Sequence, residues 1–291
     1  MTAPGLAYPA PGKLNLMLRV VGRRADGYHL LQTVFRYIDR ADSVGLKVRS
    51  DGAIVRIADL PGVPEDRDLS VRAARALKAA TGTALGAEIA LTKTLPAGGG
   101  LGGGSSDAAT TLMVLNHLWK TGLARAELMR LGLELGADVP AFVFGDASFG
   151  EGIGERLTAI ALPAAWYVVL TPPVAVPTAT VFAHPELKRD SKMITIQSFS
   201  AGIEGYQQAD QRDPVNDLQA LVCREYPEVA RHLEWLLQHG RAAMTGSGSS
   251  VFAAFGSERE ARAVLERLPP TMSGFVARGL DRHPLHQLVA E

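Results

Sequence analysis

LPAGGGLGGGSSDAAT, residues 95 to 110, places six glycines in the seven positions from Gly98 to Gly104, with only Leu101 interrupting. Glycine tolerates positive φ and lets backbone approach a ligand with no Cβ in the way. Ser105, Ser106 and Asp107 follow, residue types that open helices, and then an alanine-rich run. A glycine loop that feeds a helix aims unpaired N–H groups and the positive end of a dipole at one spot, which suits phosphate. The stretch predicts a phosphate-binding loop made of Pro96, Ala97, Gly98, Gly99, Gly100, Leu101, Gly102, Gly103, Gly104, Ser105 and Ser106.

Its register argues against two other phosphate loops. A Walker loop carries a lysine after its last glycine, and here Gly104 is followed by Ser105. A GxGxxG pattern exists at Gly98, Gly100 and Gly103, but the dinucleotide fold needs a second strand soon after the helix. Instead, a helix expected over Ser106–Trp119 gives way to a second helical pattern over Arg125–Leu135. A flexible Gly/Ser linker would not sit between core-forming elements. Ala87 to Thr92 reads as a strand before the loop, and Ala108, Leu112, Leu115 and Trp119 recur at helical spacing after it.

The chain has 291 residues, of which 21% are charged and 47% hydrophobic, a globular balance. Thirty basic residues offset thirty acidic ones and no long basic stripe is present, which argues against a nucleic-acid partner. Cys223 stands alone, so no intrachain disulfide forms, as suits a reducing compartment. The seven histidines have no metal-ligand spacing. The first residues lack a basic start with an apolar follow-on, and the apolar window near Ile160 to Leu170 holds Pro163 and is too short to span a bilayer. The expectation is a soluble, cytoplasmic protein with no membrane partner.

Along the chain, Leu14, Leu16, Leu18 and Val20 alternate with Lys13, Asn15, Met17 and Arg19. Period two puts Lys13 and Asn15 on one strand face. Gly22 to Gly27 has turn chemistry, and Leu30–Ile38 and Ser43–Val48 read as two further strands. Asp68 to Ala80 is expected to be helical. Character changes near Ala159 to Pro163, which divides the chain into residues 1–159 and 160–291. In the second part Trp166–Leu170, Ala253–Phe255 and Phe275–Arg278 read as strands, and Asn216–Cys223, Glu228–His239 and Glu258–Leu268 as helices. Lys188 to Asp213 reads as loop or irregular helix. Helices and strands interleave without strict βαβ spacing, so the fold class is α+β.

The glycine loop resembles that of the GHMP kinases, whose core reads P-x-x-x-G-L-G-S-S-A. The match falls on Pro96, Gly100, Leu101, Gly102, Ser105, Ser106 and Ala108, with two extra glycines before the serines. This expanded form is similar to one branch, the 4-diphosphocytidyl-2-C-methyl-D-erythritol kinases of non-mevalonate isoprenoid precursor synthesis. The resemblance implies a two-domain architecture: an N-terminal domain like ribosomal protein S5 domain 2 and a ferredoxin-like C-terminal domain closing the substrate cleft. It also implies ATP with Mg²⁺, and a small-molecule acceptor, a polyol linked to cytidine diphosphate and phosphorylated on its 2-hydroxyl.

Three further motifs follow in family order. Pro11-Gly12-Lys13-Leu14-Asn15-Leu16 resembles P-x-K-x-N-L, with Gly12 where alanine is usual. The resemblance makes Lys13 catalytic, beside the transferred phosphate, and Asn15 a substrate contact. Gly22-Arg23-Arg24-Ala25-Asp26-Gly27-Tyr28-His29 is similar to the branch's signature, in which the tyrosine stacks on cytosine and the histidine bonds its edge. Gly136-Ala137-Asp138-Val139-Pro140 matches the motif of the catalytic aspartate, which makes Asp138 the group that orients or deprotonates the acceptor hydroxyl. Without the resemblance, Asp138 reads as an ordinary turn or cap aspartate.

Weaker matches complete the set. Thr178 and Phe182 resemble the substrate side of the cleft, with Phe182 on the second face of the cytosine. Gly246, Ser247 and Gly248 sit in a glycine turn like the family's third motif, although Ser249 and Ser250 replace a small apolar pair. Two alternatives stay open: a GHMP kinase acting on mevalonate, homoserine or a sugar, and a nucleotide-binding module without turnover.

Overall fold

The computed structural model describes residues 6–199 and 216–290. It opens with two long antiparallel strands, β1 (Leu6–Arg23) and β2 (His29–Arg49). Next come β3 (Ile54–Arg56), α1 (Leu69–Thr81), β4 (Gly86–Thr92), α2 (Gly103–Leu118), α3 (Arg125–Leu135), α4 (Val139–Phe144) and the hairpin β5 (Ser148–Glu151) and β6 (Arg156–Ala159). The second half carries β7 (Trp166–Leu170), α5 (Thr178–Ala183), α6 (Gln219–Glu225), α7 (Pro227–Leu237), β8 (Ala242–Met244), β9 (Val251–Phe255), α8 (Glu258–Leu265) and β10 (Gly274–Leu280). The α+β class expected from sequence is the one observed. The part of the Lys188–Asp213 stretch beyond residue 199 lies outside the described residues.

β2 is the spine. One edge pairs with β1, and the other takes β5, β10 and β4 in succession. The two strands expected at Leu30–Ile38 and Ser43–Val48 are therefore one. The polar run between them does not interrupt pairing, because Ala41 and Asp42 stay opposite Pro11 and Ala10. The Asp42 carboxylate also accepts from the N–H groups of Thr94 and Leu95 at 2.6 and 2.8 Å. β10 then pairs with β7 and β7 with β9, so the sheet crosses from the first half into the second.

α2 is the central helix. Sequence spacing indicated one apolar face, yet every side chain from Ser106 to Asn116 is buried. Such a helix is enclosed on all sides, here by α1, α3, α4 and the β1–β2 pair. α1 is delimited as its sequence dictates: Asp68 accepts from Ser70 N–H at 2.9 Å, and Gly82 ends the helix at φ 67°. A second core lies under the C-terminal sheet around Val168, Leu170, Val222, Leu236 and Val251. A third cluster joins the halves, with Leu14, Ile38, Leu95 and Leu101 against Tyr167, Val169 and Phe252. Leu101 is thus the plug that seats the glycine loop. Among the described residues no helix is long and apolar enough to cross a membrane.

Candidate active site

The loop's conformation demands its glycines. Gly98, Gly100 and Gly102 adopt φ of 68°, 74° and 71°, a region costly for residues with a Cβ. A Cβ on Gly100 would strike the carbonyl of Thr245, and one on Gly102 would lie 3.1 Å from Lys13 Cε. α2 begins at Gly103, ahead of the serines, with left-handed Gly102 as its cap residue and no capping side chain. Ser105 and Ser106 therefore lie within the first turn of α2 and Asp107 just beyond it, so none of the three opens the helix, in contrast to the expectation from sequence. The first N–H groups of the helix lack intrahelical acceptors, so the turn is electropositive.

This loop lines a cavity of about 810 Å³. Pro96 to Ser105 contribute, together with Lys13, Asn15, Asp138, Thr178, Phe182 and Gly246 to Gly248. Ser106 is fully buried behind it. The third glycine turn is tied to the first loop, since Ser250 N–H donates to Gly99 O at 3.2 Å. The Thr178 and Ser247 hydroxyls are hydrogen-bonded to each other, 2.7 Å apart, in the cavity wall.

Lys13 is 3% exposed, and its ammonium donates to Asn15 Oδ1 at 2.5 Å and lies 3.3 Å from Asp138 Oδ2. Asn15 is held in turn: its Nδ2 donates to Thr33 Oγ1 at 2.8 Å, and that hydroxyl donates to Met17 O at 2.7 Å. The chain of donors orients the Asn15 amide so that its oxygen faces the lysine and its NH2 faces Thr33. Lys13 N–H also donates to Leu101 O at 2.9 Å, which locks the strand to the loop. Asp138 occupies the position before α4 but makes no capping hydrogen bond, so its carboxylate is not consumed by the helix.

Tyr28 is 59% exposed on the β1–β2 turn, while neighbouring His29 is buried. The His29 and Phe182 ring centroids are 5.1 Å apart. Burial lowers the His29 pKa, with Arg189 and Arg23 adding to the effect, so the imidazole is neutral. Neither Tyr28 nor His29 lines the main cavity, but Phe182 touches both the cavity and His29.

Several contributors carry no sequence motif. Lys93 lines the cavity and donates to both Asp42 and Asp107. One ammonium cannot neutralise two carboxylates, and burial pushes the Asp107 carboxyl up to about 7 against the pull of Lys93. Lys93 keeps its proton: burial alone would lower its pKa, but the two carboxylates raise it. Asn216 Nδ2 donates to Met244 O and Gly246 O, both at 2.8 Å, and so shapes the third loop. Only the tertiary fold brings these groups together.

Comparison with known proteins agrees with the geometry. The GHMP kinases N terminal domain matches residues 68–146, and the GHMP kinases C terminal domain matches residues 201–273. The chain is 60% identical over 285 residues to a 4-diphosphocytidyl-2-C-methyl-D-erythritol kinase of Thiobacillus denitrificans, covering 98% of this chain and 99% of the relative. It is 57% identical to the corresponding kinase of Nitrosospira multiformis, covering 98% and 95%. A crystal structure of 4-(cytidine 5'-diphospho)-2C-methyl-D-erythritol kinase superposes with a TM-score of 0.80 at 31% identity, covering 94% of this chain and 99% of that one. Homoserine kinase from Cytophaga hutchinsonii shares the fold, with a TM-score of 0.67 at 16% identity, covering 97% and 96%. A small-molecule kinase that uses ATP, the chain belongs to the 4-diphosphocytidyl-2-C-methyl-D-erythritol kinases of the GHMP kinase family.

Proposed function

We propose that this protein transfers the γ-phosphoryl group of ATP to the 2-hydroxyl of 4-diphosphocytidyl-2-C-methyl-D-erythritol. The observation that carries the reading is the Lys13–Asp138 pair, 3.3 Å apart beside the open N-terminus of α2. ATP phosphates rest on the Gly98–Ser105 loop, where backbone N–H groups and the helix dipole offset their charge. Lys13 stands at the point where the γ-phosphate meets the acceptor and stabilises charge that develops on the transferred group. Asp138 orients the hydroxyl and receives its proton. Residues 1–159 supply these groups, and residues 160–291 close the cleft with Thr178, Phe182 and the Gly246–Gly248 turn.

Mg²⁺ would enter with the nucleotide. Among the described residues no cluster of three or more His, Cys, Asp or Glu side chains suits a metal. Asp107 Oδ1 and Ser106 Oγ are buried oxygens without hydrogen-bond partners near the start of α2, hard donors that would suit this ion. When bound, the ion neutralises charge on the β- and γ-phosphates.

The cytidine end is read by Tyr28, His29 and Phe182. Base-on-aromatic stacking contributes about 1–3 kcal/mol, so Phe182→Ala is expected to raise the acceptor KM about tenfold or more and leave the ATP KM in place. An unchanged acceptor KM would favour a kinase whose acceptor has no base.

A further inference from the structure

We propose that Arg189 is a positioning residue for base recognition: it sets the His29 tautomer and holds Phe182 against that ring in one clamp. Its Nε lies 3.0 Å from His29 Nε2. A guanidinium nitrogen only donates and stays protonated at any pH the protein tolerates. His29 Nε2 is therefore the acceptor, and the proton of the neutral ring sits on Nδ1.

The other four N–H bonds of the guanidinium go to one turn. Nη1 donates to Leu187 O at 2.9 Å and Pro185 O at 3.4 Å, and Nη2 donates to His184 O at 2.7 Å and Phe182 O at 3.1 Å. All five donors are thus occupied by one imidazole, the last turn of α5 and the chain just after it. The fork cinches residues 182–187 so that the Phe182 ring stays 5.1 Å from His29. Lysine has no planar fork and cannot span these acceptors. The charged groups acting on His29 are Arg189 and Arg23, and both favour the uncharged ring.

The consequence is chemical. With Nδ1–H as its remaining polar group, His29 presents a donor and not an acceptor. It pairs with an acceptor atom on a pyrimidine edge, ring N3 or O2 of cytosine, and repels an exocyclic amine. This step rests on the cytidine reading given above; the tautomer itself does not.

Histidine-selective ¹⁵N labelling tests it, with His29 identified by loss of its ring signals in His29→Asn. Long-range ¹H–¹⁵N spectra of the wild-type protein without substrate should show Nδ1 protonated and Nε2 bare, the reverse of the usual preference in water. In Arg189→Met the ring should change to the Nε2–H form. The acceptor KM should rise about tenfold, the loss of roughly one well-formed hydrogen bond, with the ATP KM unchanged. Arg189→Lys should not rescue it. A wild-type Nε2–H tautomer overturns the proposal without any variant. So does a folded Arg189→Met protein, judged by an intact ATP KM, that keeps the wild-type acceptor KM. A correct tautomer in an enzyme that does not turn over the cytidine acceptor would refute the substrate reading and leave the Arg189–His29 linkage standing.

Discussion

Lys13 Nζ sits 3.3 Å from Asp138 Oδ2, the lysine almost fully buried and the aspartate side chain 36% exposed. The asymmetry divides the roles. A buried ammonium held by Asn15 cannot leave its post, while a carboxylate open to the cleft can meet an incoming hydroxyl. The pair joins residues 125 positions apart, brought together because β1 packs under the loop that precedes α2 and Asp138 precedes α4.

The Lys13–Asn15–Thr33 relay makes Thr33 a sensitive position. In Thr33→Val the Asn15 amide loses the acceptor that fixes its orientation, and Lys13 loses a defined partner. Removing one such hydrogen bond costs about 1 kcal/mol, so kcat should fall about fivefold with the ATP KM unchanged. Steady-state kinetics at saturating ATP measures it.

Gly100→Ala tests the loop. The new Cβ meets the Thr245 carbonyl and must sit at φ 74°. Left-handed backbone alone costs a non-glycine residue about 1–2 kcal/mol, and the clash separates the first and third loops. ATP affinity should drop at least tenfold, as read by calorimetry with a non-hydrolysable ATP analogue. Gly62→Ala has nothing within 4 Å of its Cβ and lies on the exposed surface, so it serves as the control for φ strain alone.

Two buried groups give stability opposite pH slopes. Asp107 is raised to about 7 in the folded protein, so the native state binds its proton more tightly than the unfolded chain. Its contribution is present at acid pH and is lost as pH rises from about 4 to about 7. His283 is lowered to about 3 by burial, with His286 and Arg125 adding to the effect. It charges first in the unfolded chain, so stability falls as pH drops from about 6.5 towards 3. Asp107→Asn should abolish the first slope and keep the second. Urea melts between pH 4 and 8, without Mg²⁺ or nucleotide, check this.

Much of this was legible in the chain. Glycine density at 98–104, the Lys13/Asn15 alternation and the α3 span Arg125–Leu135 were readable because each is local: φ freedom, period two and period 3.6. The union of two expected strands into β2 was not, since its continuity depends on pairing with Pro11 and Ala10 far upstream. The start of α2 at Gly103 was not legible for a related reason. Serine and aspartate usually open helices, but left-handed Gly102 does so here because Leu101 must turn inward to the core. Lys93, Asn216 and Arg189 gave no signal, because their partners are distant carboxylates, carbonyls and an imidazole that only the folded chain assembles.

The most direct test is ADP release from Mg-ATP with 4-diphosphocytidyl-2-C-methyl-D-erythritol as acceptor, wild type beside Asp138→Asn. General-base assistance contributes about 10²–10⁴-fold, so the wild type should turn over and the variant should lose kcat by that factor while still binding ATP. Equal rates in the two proteins, or turnover only with mevalonate or homoserine, would contradict the account.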